Sequence, residues 1–78
     1  RDGAAVGLEL IDTILARGDL AEYHLAHAAR ADFCRRLGRT DEAQVSYETA
    51  LSLTRQSSER RFLEKRLQEL KKNSLPSS

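Results

Sequence analysis

His24 and His27 lie three residues apart, and Cys34 follows His27 at a spacing of seven. Imidazole and thiolate are ligands that zinc and related ions take, so this trio is the natural place to look for metal chemistry. On a helix only His27 and Cys34 share a face, and neither a second cysteine nor a carboxylate stands at ligand spacing beside them. The pair makes no nucleophile and base either. The two lie roughly two turns apart, and no glycine-rich or strand-borne oxyanion site accompanies the thiol. A lone cysteine set among Ala and Phe reads as a small core residue. The expectation is a buried, metal-free Cys34, no cofactor and no enzymatic activity.

Arg30 poses a different question. A helical wheel puts it between Leu37 and Tyr23, in the middle of an apolar arc, where an unpaired guanidinium would cost several kcal/mol. Asp12, Glu48 and Glu9 are the acids expected to reach it. The alternative is a role in a groove, where Arg30, with Tyr23 and His27 nearby, would hold a carboxylate of a peptide partner. Further on, Arg60, Arg61, Lys65, Arg66, Lys71 and Lys72 outnumber Glu59, Glu64 and Glu69. The simplest account is a solvated helix face with pairs such as Arg60 with Glu64 and Lys65 with Glu69. Arg60 and Arg61 are the candidates there for contact with a partner.

The formal net charge is +1 with both signs interspersed, so there is no whole-molecule field to draw in nucleic acid or an anionic membrane. The turn Gly38-Arg39-Thr40 invites a helix-turn-helix reading. Its second helix would open on Asp41 and Glu42, which repel phosphates, so no direct nucleic-acid contact is expected. One cysteine, no signal peptide and no long apolar span lead to the expectation of a soluble, cytoplasmic protein. The opening on Arg1 rather than Met suggests a piece of a longer chain.

The elements that position these residues are helices. Ala, Leu, Arg and Glu dominate, aromatic residues are few, and 78 residues allow one domain of marginal stability. Apolar positions predict a first helix over about residues 3–17, capped by Asp2 and closed by Gly18. Its apolar arc, including Val6, Leu10 and Ile14, is wider than one neighbour buries, so a covering helix is expected, supplied by more chain or by a second copy as a homodimer. Asp19 and Glu22 have capping-box spacing and predict a second helix from there to Leu37, stopped by Gly38. Its two stripes, Leu25, Ala29, Phe33 and Leu37 beside Tyr23, His27, Ala31 and Cys34, predict burial on two sides. Thr40 is placed to cap a third helix with Ala43, Tyr47, Ala50 and Leu51 inward. A serine cap before Glu59 starts the fourth, with Leu63, Leu67 and Leu70 inward and Phe62 beside them. Residues 1–73 form the domain, and the stretch from Asn73, with 74–78 as a disordered tail, is expected to fray. Short connections make antiparallel hairpins the natural geometry of this all-α chain.

From Gly38 the run Gly38, Asp41-Glu42-Ala43, Tyr47, Ala50-Leu51 and Leu53 resembles the second half of a tetratricopeptide repeat, where a small residue and an aromatic four positions on lock one helix against the other. His27, Arg30, Ala31 and Cys34 stand where that repeat has Trp, Leu, Gly and Tyr, and Arg55 where it has Pro, which makes the repeat divergent. The first helix matches the second helix of a preceding repeat, with Gly7, Ile11 and Ile14 on the positions of Ala43, Tyr47 and Ala50, at an offset two residues longer than the usual period. The fourth matches a polar terminal cap of a truncated α-solenoid. Over nearly the whole chain, Gly7-Leu8-Glu9-Leu10-Ile11-Asp12, Tyr23 to Asp32, Arg36 to Ala43 and Glu59-Arg60-Arg61-Phe62-Leu63 resemble the C-terminal extension of bacterial extracytoplasmic-function (ECF) sigma factors. That resemblance implies a regulatory, protein-binding role in transcription initiation, with sigma-factor core regions or RNA polymerase as partners. The alternative is a free-standing peptide-binding adaptor.

Overall fold

Each connection in the chain is built by a few backbone bonds, and each turns it into the next helix. In the computed structural model, which describes residues 3–74 (side chains 3–72), the helices are α1 (Gly3–Arg17), α2 (His24–Arg36), α3 (Thr40–Leu53) and α4 (Ser57–Ser74). Gly18 closes α1 at φ +84°, its N–H donating to the Leu15 carbonyl. Gly38 closes α2 at φ +75°: its N–H donates to Arg35 O, and the N–H of Arg39 to Cys34 O at 2.8 Å. This paired 5→2 and 6→1 arrangement is a Schellman stop, and the positive φ is why glycine stands there.

Three caps differ from expectation. α2 does not start at Asp19. Residues 18–22 form successive turns, with Ala21 N–H to Gly18 O and Tyr23 N–H to Leu20 O, and Tyr23 is the extended N-cap at φ −94°, ψ 111°. The left-handed Gly18 redirects the chain, so Asp19 and Glu22 end up in an exposed connection that local turn bonds satisfy. Thr40 is the first residue of α3 rather than its cap. Arg39 is the N-cap and makes no side-chain cap bond; its guanidinium reaches Glu42 instead, at 2.7 and 3.2 Å. α4 takes in Ser57 and Ser58, with Arg60 N–H bonded to the Gln56 carbonyl, and it continues through Ser74. Residues 75–78 of the expected tail, and Asp2 with its capping role, lie outside the described residues.

Successive helices pack on one another, α1 on α2, α2 on α3 and α3 on α4. Gly7 meets Phe33 while Asp12 meets Arg30, so α1 and α2 run antiparallel. The product is a slab of 42 × 35 × 16 Å. Its core joins Leu8, Ala31, Cys34, Ala43, Tyr47, Ala50, Leu63 and Leu70. Ala31, Ala43 and Ala50 are completely buried, which is what closely approaching helices require of the residues between them. The described residues are all-α, with four helices and no strand.

The two expected stripes of α2 fare unequally. Ala31 and Cys34 are buried and His27, Ala29, Phe33 and Leu37 half-buried, but Leu25 and Tyr23 are exposed. Tyr23 has left the helix, and Leu25 lies on the side of α2 turned from its neighbours. On α1, Val6 and Leu10 are exposed and Ile14 half-buried, so the outer stripe stays open among the described residues.

Candidate functional site

Arg30 is the hub of the polar structure. From the middle of α2, Nε donates to Asp12 Oδ1 of α1 at 2.6 Å, Nη1 to Ser46 Oγ of α3 at 2.8 Å and Nη2 to Glu42 Oε1 at 3.1 Å. Of the acids expected to meet it, Asp12 does; Glu9 and Glu48 do not. Glu42 and Ser46 escaped sequence reasoning, although both stand on the α3 face turned toward α2, four residues apart. Burial disfavours the charge, but the bond to Asp12 and the surrounding negative groups outweigh it and raise the guanidinium pKa above its ordinary value. The arrangement clamps three helices in one register and leaves a partner's carboxylate few free donors.

Glu42 answers to two arginines. The hydrogen bond from Arg39 comes first in holding its carboxyl below the ordinary range; burial works against it, and the bond from Arg30 adds to it. A depressed folded value means that this contribution is present above the unfolded pKa and is lost as pH falls through the folded one. Thermal unfolding should therefore show a stability decrease below about pH 4.5 that Glu42→Gln flattens. Arg30→Gln should cost about 1–2 kcal/mol; this is less than for a sealed ion pair, because the Asp12 and Glu42 side chains are 45% and 42% exposed and can rehydrate. Pairing it with Asp12→Asn in a double-mutant cycle should recover most of that as coupling. Additive effects of the two would sink the clamp.

The histidines lie where elements meet. His27 Nε2 donates to the Ala21 carbonyl at 2.7 Å, pinning the connection before α2 to its second turn. His24 Nε2 lies 2.7 Å from Glu59 Oε1 where α2 approaches α4, without the alignment of a hydrogen bond, and its ring meets Tyr23 edge-on at 5.7 Å. Among the described residues no three His, Cys, Asp or Glu side chains gather as metal ligands. Cys34 is fully buried, and burial comes first in raising its thiol pKa. A thiol reagent should label the native chain at least about a hundredfold more slowly than the unfolded chain, since attack needs a thiolate reached by opening. Equal rates would contradict this.

The two arginines expected at a partner surface separate cleanly. Arg60 is structural: Nη1 donates to the carbonyls of Leu51 at 2.7 Å and Thr54 at 3.0 Å, satisfying the end of α3 where the helix leaves acceptors unpaired. Thr54 assists, its Oγ1 donating to Ala50 O. Arg61 is exposed and takes part in none of the described bonds. Of the expected pairs on α4, Arg60 and Glu64 approach to 3.9 Å, whereas Glu69 is met by Arg66 rather than Lys65. Phe62 is 55% exposed, with the Arg66 guanidinium 5.2 Å from its ring centre.

The outward faces of the terminal helices thus differ in kind: Val6 and Leu10 on α1, Arg61, Lys65, Gln68 and Lys72 on α4. No helix of the described residues is long and apolar enough to cross a membrane. No protein-family model, curated protein or solved structure matches the chain.

Proposed function

We propose that this chain is a tetratricopeptide-like interaction module serving as the regulatory C-terminal extension of an ECF-type sigma factor. The observation that carries the module reading is the helix stack itself, sealed by alanines and by Tyr47, with an open apolar face on α1 and a polar face on α4. A stack of this kind presents extended surfaces, which suits the binding of other proteins. The placement behind a sigma factor is supported by the residue runs resembling those extensions. Its partners would be the sigma core regions or the polymerase. The α1 face would be covered by a neighbouring helix of the same polypeptide or by a second copy, and promoter DNA would be left to other regions.

Deleting the segment from the parent polypeptide should change transcription from its target promoter, while the isolated segment shows no salt-sensitive affinity for duplex DNA. Normal transcription after the deletion would favour the free-standing adaptor and sink the sigma-factor reading. Arg61→Glu is the informative charge reversal. The same change at Arg60 would also strip the carbonyls of α3 of their donor.

A further inference from the structure

Most arginines of the stack are spoken for. Arg30, Arg35, Arg36, Arg39, Arg60 and Arg66 each meet a carboxylate or a carbonyl. On α4 two carboxylates are used as well, Glu64 facing Arg60 and Glu69 facing Arg66, while Glu59 lies against the His24 ring. What is left over on this helix is Arg61, Lys65 and Lys72, all exposed and in none of the ion pairs or hydrogen bonds of the described residues. Their spacing of four and then seven residues sets them within about 40° on the wheel, in a row about 16 Å long with Gln68 between them. Beside the row the exposed Phe62 ring, with Lys65, Arg66 and Glu69, lines a surface hollow of about 140 Å³.

We infer that this face of α4 docks an acidic amphipathic protein segment, which seats an apolar side chain in the hollow at Phe62 and sets carboxylates against Arg61, Lys65 and Lys72. An exposed aromatic ring is the kind of anchor that interfaces bury at their centre, and unpaired cations beside it supply a rim that complements an acidic partner. The row is too short for a duplex. Three cations displace about three counterions, about half or less of what specific duplex binding uses. The surface suits a helix with acids at positions i, i+4 and i+11, whose carboxylates would repeat the row's own spacing. The inference rests on reading the chain as an interaction module and holds with or without a sigma factor attached.

The test is titration of the isotope-labelled chain with a synthetic 18-residue peptide carrying one leucine stripe flanked by glutamates at those spacings. Amide shifts should concentrate at Arg61, Phe62, Lys65, Arg66 and Glu69. Phe62→Ala and the double change Arg61→Glu with Lys65→Glu should each weaken binding by about tenfold or more. These side chains are exposed, so helicity should be unchanged, and circular dichroism checks this. A peptide with lysines in place of the glutamates should not bind. The surface is overturned if shifts gather on α1 or α2, if both variants bind as well as the parent, if the lysine peptide binds equally, or if a duplex of about 20 base pairs binds more tightly than the acidic peptide. None of these outcomes touches the deletion experiment, which reports on the parent's transcription alone.

Discussion

Tyr47→Ala should abolish the cooperative thermal transition or lower its midpoint by more than about 15 °C. Tyr47 is 2% exposed and sits in the cluster with Ala43, Ala50, Leu63 and Cys34. Truncating a buried aromatic costs about 3–5 kcal/mol through lost transfer energy and the cavity left behind. A chain this small has little more than that to lose, and each kcal/mol moves the midpoint by about 4–8 °C. Tyr47→Phe separates size from chemistry. It keeps the ring and removes only the hydroxyl, so it should cost no more than about 1 kcal/mol. If the alanine variant melted like the phenylalanine one, the ring would not be the keystone of the stack.

Gly7→Ala should destabilise the chain although it places the best helix former inside a helix. An added β-carbon would lie 2.5 Å from Phe33 Cζ, 2.6 Å from Cε1 and 2.9 Å from Cε2. The ring points end-on at the glycine and cannot shorten. Helix propensity favours alanine by about 1 kcal/mol, and forced displacement in a packed contact costs about 1–3 kcal/mol, so the net change should be a loss of up to about 2 kcal/mol. In a Phe33→Leu background the obstruction is gone, and the same Gly7→Ala change should become neutral or stabilising. A sign reversal of this kind is a coupling that only contact produces. Equal effects in both backgrounds would mean that α1 and α2 do not meet here.

The helices and their inward faces were legible because period 3.6 is written in Ala43, Tyr47, Ala50, Leu63 and Leu70, all buried as their spacing requires. Gly18 and Gly38 marked two helix ends for the same reason, since left-handed backbone is cheap only for glycine. The caps were less legible. Asp19 with Glu22 has the right spacing for a capping box, but spacing does not say whether the turns after Gly18 satisfy the backbone first. Thr40 lost the cap of α3 by one position to Arg39, a residue type with no capping preference. The Arg30 clamp was half visible. The wheel showed that Arg30 needed acids, and Asp12 was named; Glu42 and Ser46 depend on how α3 is rotated against α2, which no local pattern encodes. The role of Arg60 was hidden for a related reason, because its acceptors are carbonyls and carbonyls have no sequence signal.

The side-by-side packing of α1 on α2, α2 on α3 and α3 on α4 also dictates how the molecule comes apart. In a row held mainly by nearest-neighbour interfaces, the two inner helices are gripped from both sides, α1 from one, and α4 from one apart from the approach of Glu59 to His24. Amide hydrogens of α2 and α3 should therefore exchange only through global unfolding, whereas α1, the more apolar of the two ends, should open earlier and at lower cost. Whatever settles on Val6 and Leu10 would slow exchange along α1 and move its opening toward the global limit. The same face that invites a neighbour would then act as a gauge of whether one is present.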